Sequence, residues 1–192
     1  MLQSSDQILA VAAEHGLEFF RMAPLVPRGW CLAALGRADE GIPLITDGLA
    51  GWDQVGFTGF RPWGLARLGD ACRIAGQWQD GLAHVAEARR LAEERGDRWF
   101  QAETVRLRGD VLLAMGDPAP AEASYRESIA IAQQQSAKLW ELRASTSLAR
   151  LWRDQGKPVE ARGLLAPVYG WFTGGFGTPV LKEAGALLDE LA

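Results

Sequence analysis

Two arginines, Arg143 and Arg150, stand seven residues apart in "LWELRASTSLARLWRDQG". That is about two turns of a helix, so both side chains leave the same face. Guanidinium groups so placed either hold carboxylates bidentately or pair with acids on a neighbouring helix. Other chemistry is scarce. The glycine-rich "TGGFG" at 173–177 invites comparison with a phosphate-cradling loop, but no Lys-Ser/Thr follows it and no strand precedes it. It is expected to be a structural turn. His15 and His84 have no second ligand at metal-binding spacing, and Glu93 and Glu94 lie on a polar helix end. No Ser/His/Asp or Cys/His arrangement is suggested by spacing, so the chain is expected to be no enzyme and to need no metal or cofactor.

Composition narrows the partners. Asp and Glu number 24 against 20 for Lys and Arg, and the net charge of −4 argues against nucleic acid or an anionic membrane. No apolar run approaches the ~20 residues of a membrane span, and "MLQSSDQILAVAAEHG" lacks the basic start of a secretory signal. Cys31 and Cys72 lie in apolar helical patterns and are expected to be reduced, buried thiols of a cytoplasmic protein.

The elements that position Arg143 and Arg150 recur. Gly36, Gly76, Gly116 and Gly156 each end an apolar helix at steps of 40 residues. Gly29, Gly69, Gly109 and Ala149 keep the same step, as do Gly41, Gly81, Ala121 and Ala161. Phe20, Phe60, Phe100 and Trp140 form an aromatic column expected to stack between repeats. A small residue midway along one helix and another early in the next let the two approach closely. The turn glycine takes the left-handed conformation that ends a helix. In the third copy, "LLAMGDPAPAEASYRE", Asp117 is the expected N-cap and Pro118 the first helical residue.

The expected architecture is therefore an all-α, right-handed superhelical solenoid of helical hairpins closed by a capping helix. It forms one domain over 1–192: a half repeat 1–16, repeats 17–56, 57–96, 97–136 and 137–176, and the cap 177–192. Helices 18–35, 60–75, 97–115 and 137–155 pair with 38–54, 78–95, 118–134 and 158–172. The first helix, 4–15, ends at Gly16 and is in phase with second helices. Pro24 and Pro27 should kink or delay the next helix. Asp53–Gly59 is expected to be a loop, and Thr178 and Pro179 to start the closing helix.

These columns resemble the tetratricopeptide repeat family, whose motif places small residues at these three points; its repeat is ~34 residues, shorter than this one. Arg28 and Arg108 stand where that motif usually has an apolar residue. "LARLWRDQGK" and "LLAPVYGWFT", within 141–191, look like the last repeats of large bacterial signalling proteins. In those, a cyclase or DNA-binding domain precedes an ATPase module and a tetratricopeptide tail. The resemblance implies a regulatory, ATPase-linked tail without a catalytic residue of its own.

The face that lines the groove in such arrays, read at i, i+3, i+7 and i+10 of each first helix, runs from apolar to charged. It carries Trp30 in repeat one, Trp63 and Asp70 with Arg67 beside them in repeat two, Glu103, Arg106 and Asp110 in repeat three, and Arg143 and Arg150 in repeat four. These are the candidate partner-binding residues, for a protein or peptide segment that includes domains upstream in the same polypeptide. A small effector bound near Trp30 and Trp63 is the alternative. The charges also fit cross-repeat ion pairs: Arg143 lies between Glu103 and Glu183 in its column, and Arg150 between Asp110 and Glu190. The helix at 4–15 lacks a partner helix, so its edge is expected to self-associate or to be covered by another domain.

Overall fold

Hydrogen bonding at the hairpin turns shows why the helices end where they do. In the computed structural model, Gly116 takes φ 88°, its N–H donates to Leu113 O at 3.0 Å, and Asp117 N–H donates to Leu112 O at 3.0 Å. This is the paired closure of helix carbonyls that a left-handed residue permits. Gly36, Gly76 and Gly156 repeat it with φ of 83°, 77° and 74°. A second series at the same 40-residue step closes the other turns: Gly16, Gly56, Gly96 and Ser136, the last at φ 53° without being glycine. Asp117 occupies the N-cap position of the following helix, but its side chain makes no capping hydrogen bond. The backbone closure has already turned the chain, and Pro118 follows at the first helical position.

The structure describes residues 2–192, with the side chains of all but Leu2, Glu18 and Phe19. The described residues form α1 (Leu2–Glu14), α2 (Glu18–Met22), α3 (Leu25–Ala34), α4 (Ala38–Gln54), α5 (Arg61–Ile74), α6 (Trp78–Arg95), α7 (Gln101–Ala114), α8 (Pro118–Gln134), α9 (Lys138–Asp154), α10 (Pro158–Gly170) and α11 (Pro179–Glu190). No strand occurs among them. They fall into two compact units, residues 1–97 and 98–192, divided at a repeat boundary.

In the first unit α3 pairs with α4 and α5 with α6. Close approach is enforced at glycine: a Cβ on Gly29 would lie 2.5 Å from Gly41 O, and one on Gly41 would lie 2.3 Å from Gly29 O. The expected kink is present, because α2 stops at Met22 and α3 starts after Pro24, with Pro27 tolerated in its first turn. Arg28, in the column where an apolar residue was expected, pairs with Asp6 of α1. The loop before α5 begins later than expected, since Asp53 and Gln54 remain helical. Cys72 is buried, which pushes its thiol up to about 11, whereas Cys31 is only half-buried.

In the second unit α7 pairs with α8 and α9 with α10, and α11 closes the end. Gly109 faces the Tyr125 ring, where an added Cβ would lie 2.5 Å from Cε1. Arg108, the other residue set against the apolar column, donates to Ser124 Oγ at 3.0 Å. Phe100 and Trp140 make the column's ring contact edge to face, with centroids 5.4 Å apart. Ala149, Ala161, Leu165, Leu181, Ala184 and Leu187 form the core beneath α11. Thr178 precedes α11 in extended conformation and donates its hydroxyl to Gly175 O, which ties the glycine-rich loop to the helix start.

Candidate functional site

A carboxylate with no exposure organises the second unit. Glu103, in the first turn of α7, is fully buried, and two guanidinium groups hold it. Arg106, one turn on, donates from Nε at 2.8 Å and from Nη2 at 2.9 Å. Arg143, on α9, donates from Nη2 at 2.7 Å and from Nε at 3.0 Å. Burial alone would raise the Glu103 carboxyl; the charges of Arg106 and Arg143 outweigh it and hold it down to about 2. Arg106 also donates to Asp110 at 2.5 Å and Ser147 Oγ at 3.3 Å, and Tyr125 Oη donates to Asp110 at 2.9 Å. Glu103, Arg106, Asp110 and Arg143 are thus one network joining α7, α8 and α9.

Arg150 stands apart from it. Its Nη2 meets Glu183 of α11 at 3.4 Å, a single long contact between two exposed side chains. Glu183 therefore pairs with Arg150 and not with the arginine in its own column. Glu190 pairs with Arg153. Arg106, Arg143, Thr146, Ser147, Arg150, Val180 and Glu183 line a small cleft of about 50 Å³ over α9. Three guanidinium groups and two hydroxyls meet there, two of the guanidinium groups already oriented by Glu103. Such a cleft accepts a carboxylate or another small anionic group, provided Glu183 yields its place to the incoming oxygen.

The candidate residues of the first unit fall into two groups. Trp30 donates from Nε1 to Asp70 Oδ2 at 2.8 Å across one repeat step, and the Arg67 guanidinium lies 4.5 Å from the Trp30 ring centroid. Arg73 donates to Asp70 from Nε at 3.0 Å and Nη2 at 2.9 Å. Asp70 is buried beneath these donors. Trp63 stacks on Trp52 at 6.2 Å and meets Phe60 edge to face at 6.5 Å. Trp30 thus belongs to a polar stack and Trp63 to an aromatic cluster.

Tyr125 and Ser147 were not among the residues expected at the site. Tyr125 sits in the column of Ile45, Val85 and Leu165, so its ring reads as core; only the acid one turn from Arg106 hints at a use for its hydroxyl. Ser147 lies 41 residues from Arg106, one off the column step, where a column comparison does not look. Among the described residues, no group of three or more His, Cys, Asp or Glu side chains could hold a metal ion, and no helix is long and apolar enough to cross a membrane.

Residues 60–134, from the start of α5 to the end of α8, match the family model of the tetratricopeptide repeat. No curated protein matches the sequence. Among solved structures, the chain is similar to a Rap protein complexed with competence and sporulation factor, with TM-score 0.74 and 16% identity over 91% of this chain and 54% of that one. It spans about half of that protein. It is also similar to nearly identical tetratricopeptide-like repeats of a candidate kinesin light chain from Podosopora anserina. A single-substitution form of those repeats gives TM-score 0.61 and 18% identity over 88% and 84% of the two chains. A second structure gives 0.57 and 15% over 98% and 86%. At these identities the likeness concerns the fold. Together with the family match it supports the tetratricopeptide-repeat reading of an all-helical, TPR-like solenoid.

Proposed function

We propose that this chain is a non-catalytic protein-interaction and regulatory module that engages an acidic protein segment at the cleft over α9. The observation that carries the reading is the contrast among its arginines. Arg143 is pinned by a buried carboxylate through Nε and Nη2, so its guanidinium plane is fixed in place, whereas Arg150 is held by one long contact to an exposed acid. A carboxylate entering the cleft meets the oriented Arg143 and displaces Glu183 from Arg150, so little ordering cost opposes it. The Rap protein of similar fold is complexed with competence and sporulation factor, which favours a partner-binding role for the present helices. The words within 141–191 that resemble the last repeats of bacterial cyclase and ATPase signalling proteins favour a regulatory tail in a cytoplasmic signalling protein.

Titration calorimetry with a short Asp- and Glu-rich peptide tests the proposal, with its Asn- and Gln-substituted analogue as control. The acidic peptide should bind and the analogue should not, and raised salt should weaken binding. Arg150→Ala should lower affinity about tenfold or more, ~1.4 kcal/mol. Equal affinity of both peptides, or an unaffected Arg150→Ala variant, would overturn it.

A further inference from the structure

We infer that Glu183 of α11 is an in-built competitor at the cleft over α9, its carboxylate holding the place of the incoming one and thereby setting how tightly an acidic segment binds. This rests on the reading of that cleft as an acid-binding site. Glu183 is the one acid among the described residues that line it. Its carboxylate accepts from Arg150 Nη2 at 3.4 Å, and Arg150 makes no other hydrogen bond among the described residues. The other two arginines are held harder. Arg143 meets Glu103 at 2.7 and 3.0 Å, and Arg106 meets the same acid at 2.8 and 2.9 Å. The three guanidinium groups face Glu103, Asp110 and Glu183, so their charges balance while Glu183 is in place. With Glu183 turned away, one positive charge is left over, and a single carboxylate restores the balance.

The exchange does not require α11 to move. Leu181, Ala184 and Leu187 are buried and seat the helix in the core. Thr178 ties its start to Gly175, and Glu190 ties its end to Arg153. The Glu183 side chain is more than half exposed and has room to turn aside by a rotamer change alone. An exposed pair of this kind contributes little, so the competitor lowers affinity by only about two- to fivefold. Glu190 is the natural control. It carries the same charge about two turns on along the same helix, yet it pairs with Arg153 and does not line the cleft. Arg153 also donates to Asp154 at 2.9 Å, so it keeps a partner when Glu190 is removed.

Titration calorimetry of the full chain with the Asp- and Glu-rich peptide tests the inference, with far-ultraviolet circular dichroism confirming the fold of each variant. Glu183→Ala should bind about two- to fivefold more tightly than wild type, whereas Glu190→Ala should bind as wild type does. Glu183→Asp keeps the charge but loses a methylene of reach, and it should share most of the gain. In the Arg150→Ala background, Glu183→Ala should bring no gain, because the contact it relieves is already gone. A Glu183→Ala variant no tighter than wild type, while Arg150→Ala still weakens binding, would overturn the inference and leave the acid-binding reading in place. Equal gains from Glu183→Ala and Glu190→Ala would also overturn it, since they would report the loss of a negative charge anywhere on α11. Absence of binding by every form would overturn both the inference and the reading beneath it.

Discussion

Arg143 and Arg150 are equivalent in the sequence and unequal in the fold. Arg143 neutralises the fully buried Glu103, so Arg143→Ala should cost about 1–3 kcal/mol, the penalty of weakening a charge-assisted contact to a buried acid. Arg150 and Glu183 are both exposed, and Arg150→Ala should cost no more than about 1 kcal/mol. Urea denaturation of the two variants checks the difference. Glu103 also predicts a pH dependence. Its folded carboxyl at about 2 lies below the ordinary value of 4.5, so its stabilisation is present above the higher value and is lost as pH falls through the lower. Glu103→Gln should therefore destabilise at neutral pH, by about 2–4 kcal/mol. The gap to wild type should shrink as pH falls below the 4.5 of the free carboxyl. A gap that stays constant down to the acid limit would contradict the pairing.

Hairpin geometry decides the behaviour of the elements. Among the glycines of the second unit, Gly109 has the least room, since even a methyl group would lie 2.5 Å from the Tyr125 ring. Gly109→Ala should destabilise by about 1–3 kcal/mol through overpacking and should weaken the hydrogen bond from Tyr125 to Asp110. A thermal melt read at the tyrosine absorbance would report both effects. Ser136 is the reverse case. It adopts the left-handed conformation that glycine takes at the three equivalent turns, so Ser136→Gly should raise stability by up to about 1 kcal/mol. The turns at Gly36, Gly76, Gly116 and Gly156 were legible in the sequence because a left-handed residue at a fixed step favours glycine. The break at Pro24 was legible because Pro24 and Pro27, three residues apart, disfavour one unbroken helix over 18–35. The side-chain cap expected of Asp117 is absent, since its carboxylate makes no capping hydrogen bond.

Across the whole chain, periodicity made the helical hairpins readable, while the character of the charged face was not. The i, i+3, i+7, i+10 reading treats Glu103, Arg106 and Asp70 as groove-lining, yet all three are buried. α7 is covered on so many sides that Ala102 through Leu107 are buried without a break, and amphipathic spacing carries no signal in such a helix. Columns assign one ion pair, since Arg143 reaches back 40 residues to Glu103, but not the other, since Arg150 reaches Glu183, 33 residues away. Under the proposed function, the cleft over α9 receives an acidic segment. Backbone amide chemical shifts, recorded while the Asp- and Glu-rich peptide is titrated into the full chain, test it most directly. Saturable shifts should centre on Thr146, Ser147, Arg150 and Glu183, and Arg150→Ala should move their midpoint to about tenfold higher peptide concentration or more. Shifts centred instead around Trp30 and Trp63, or none at saturating peptide, would contradict it.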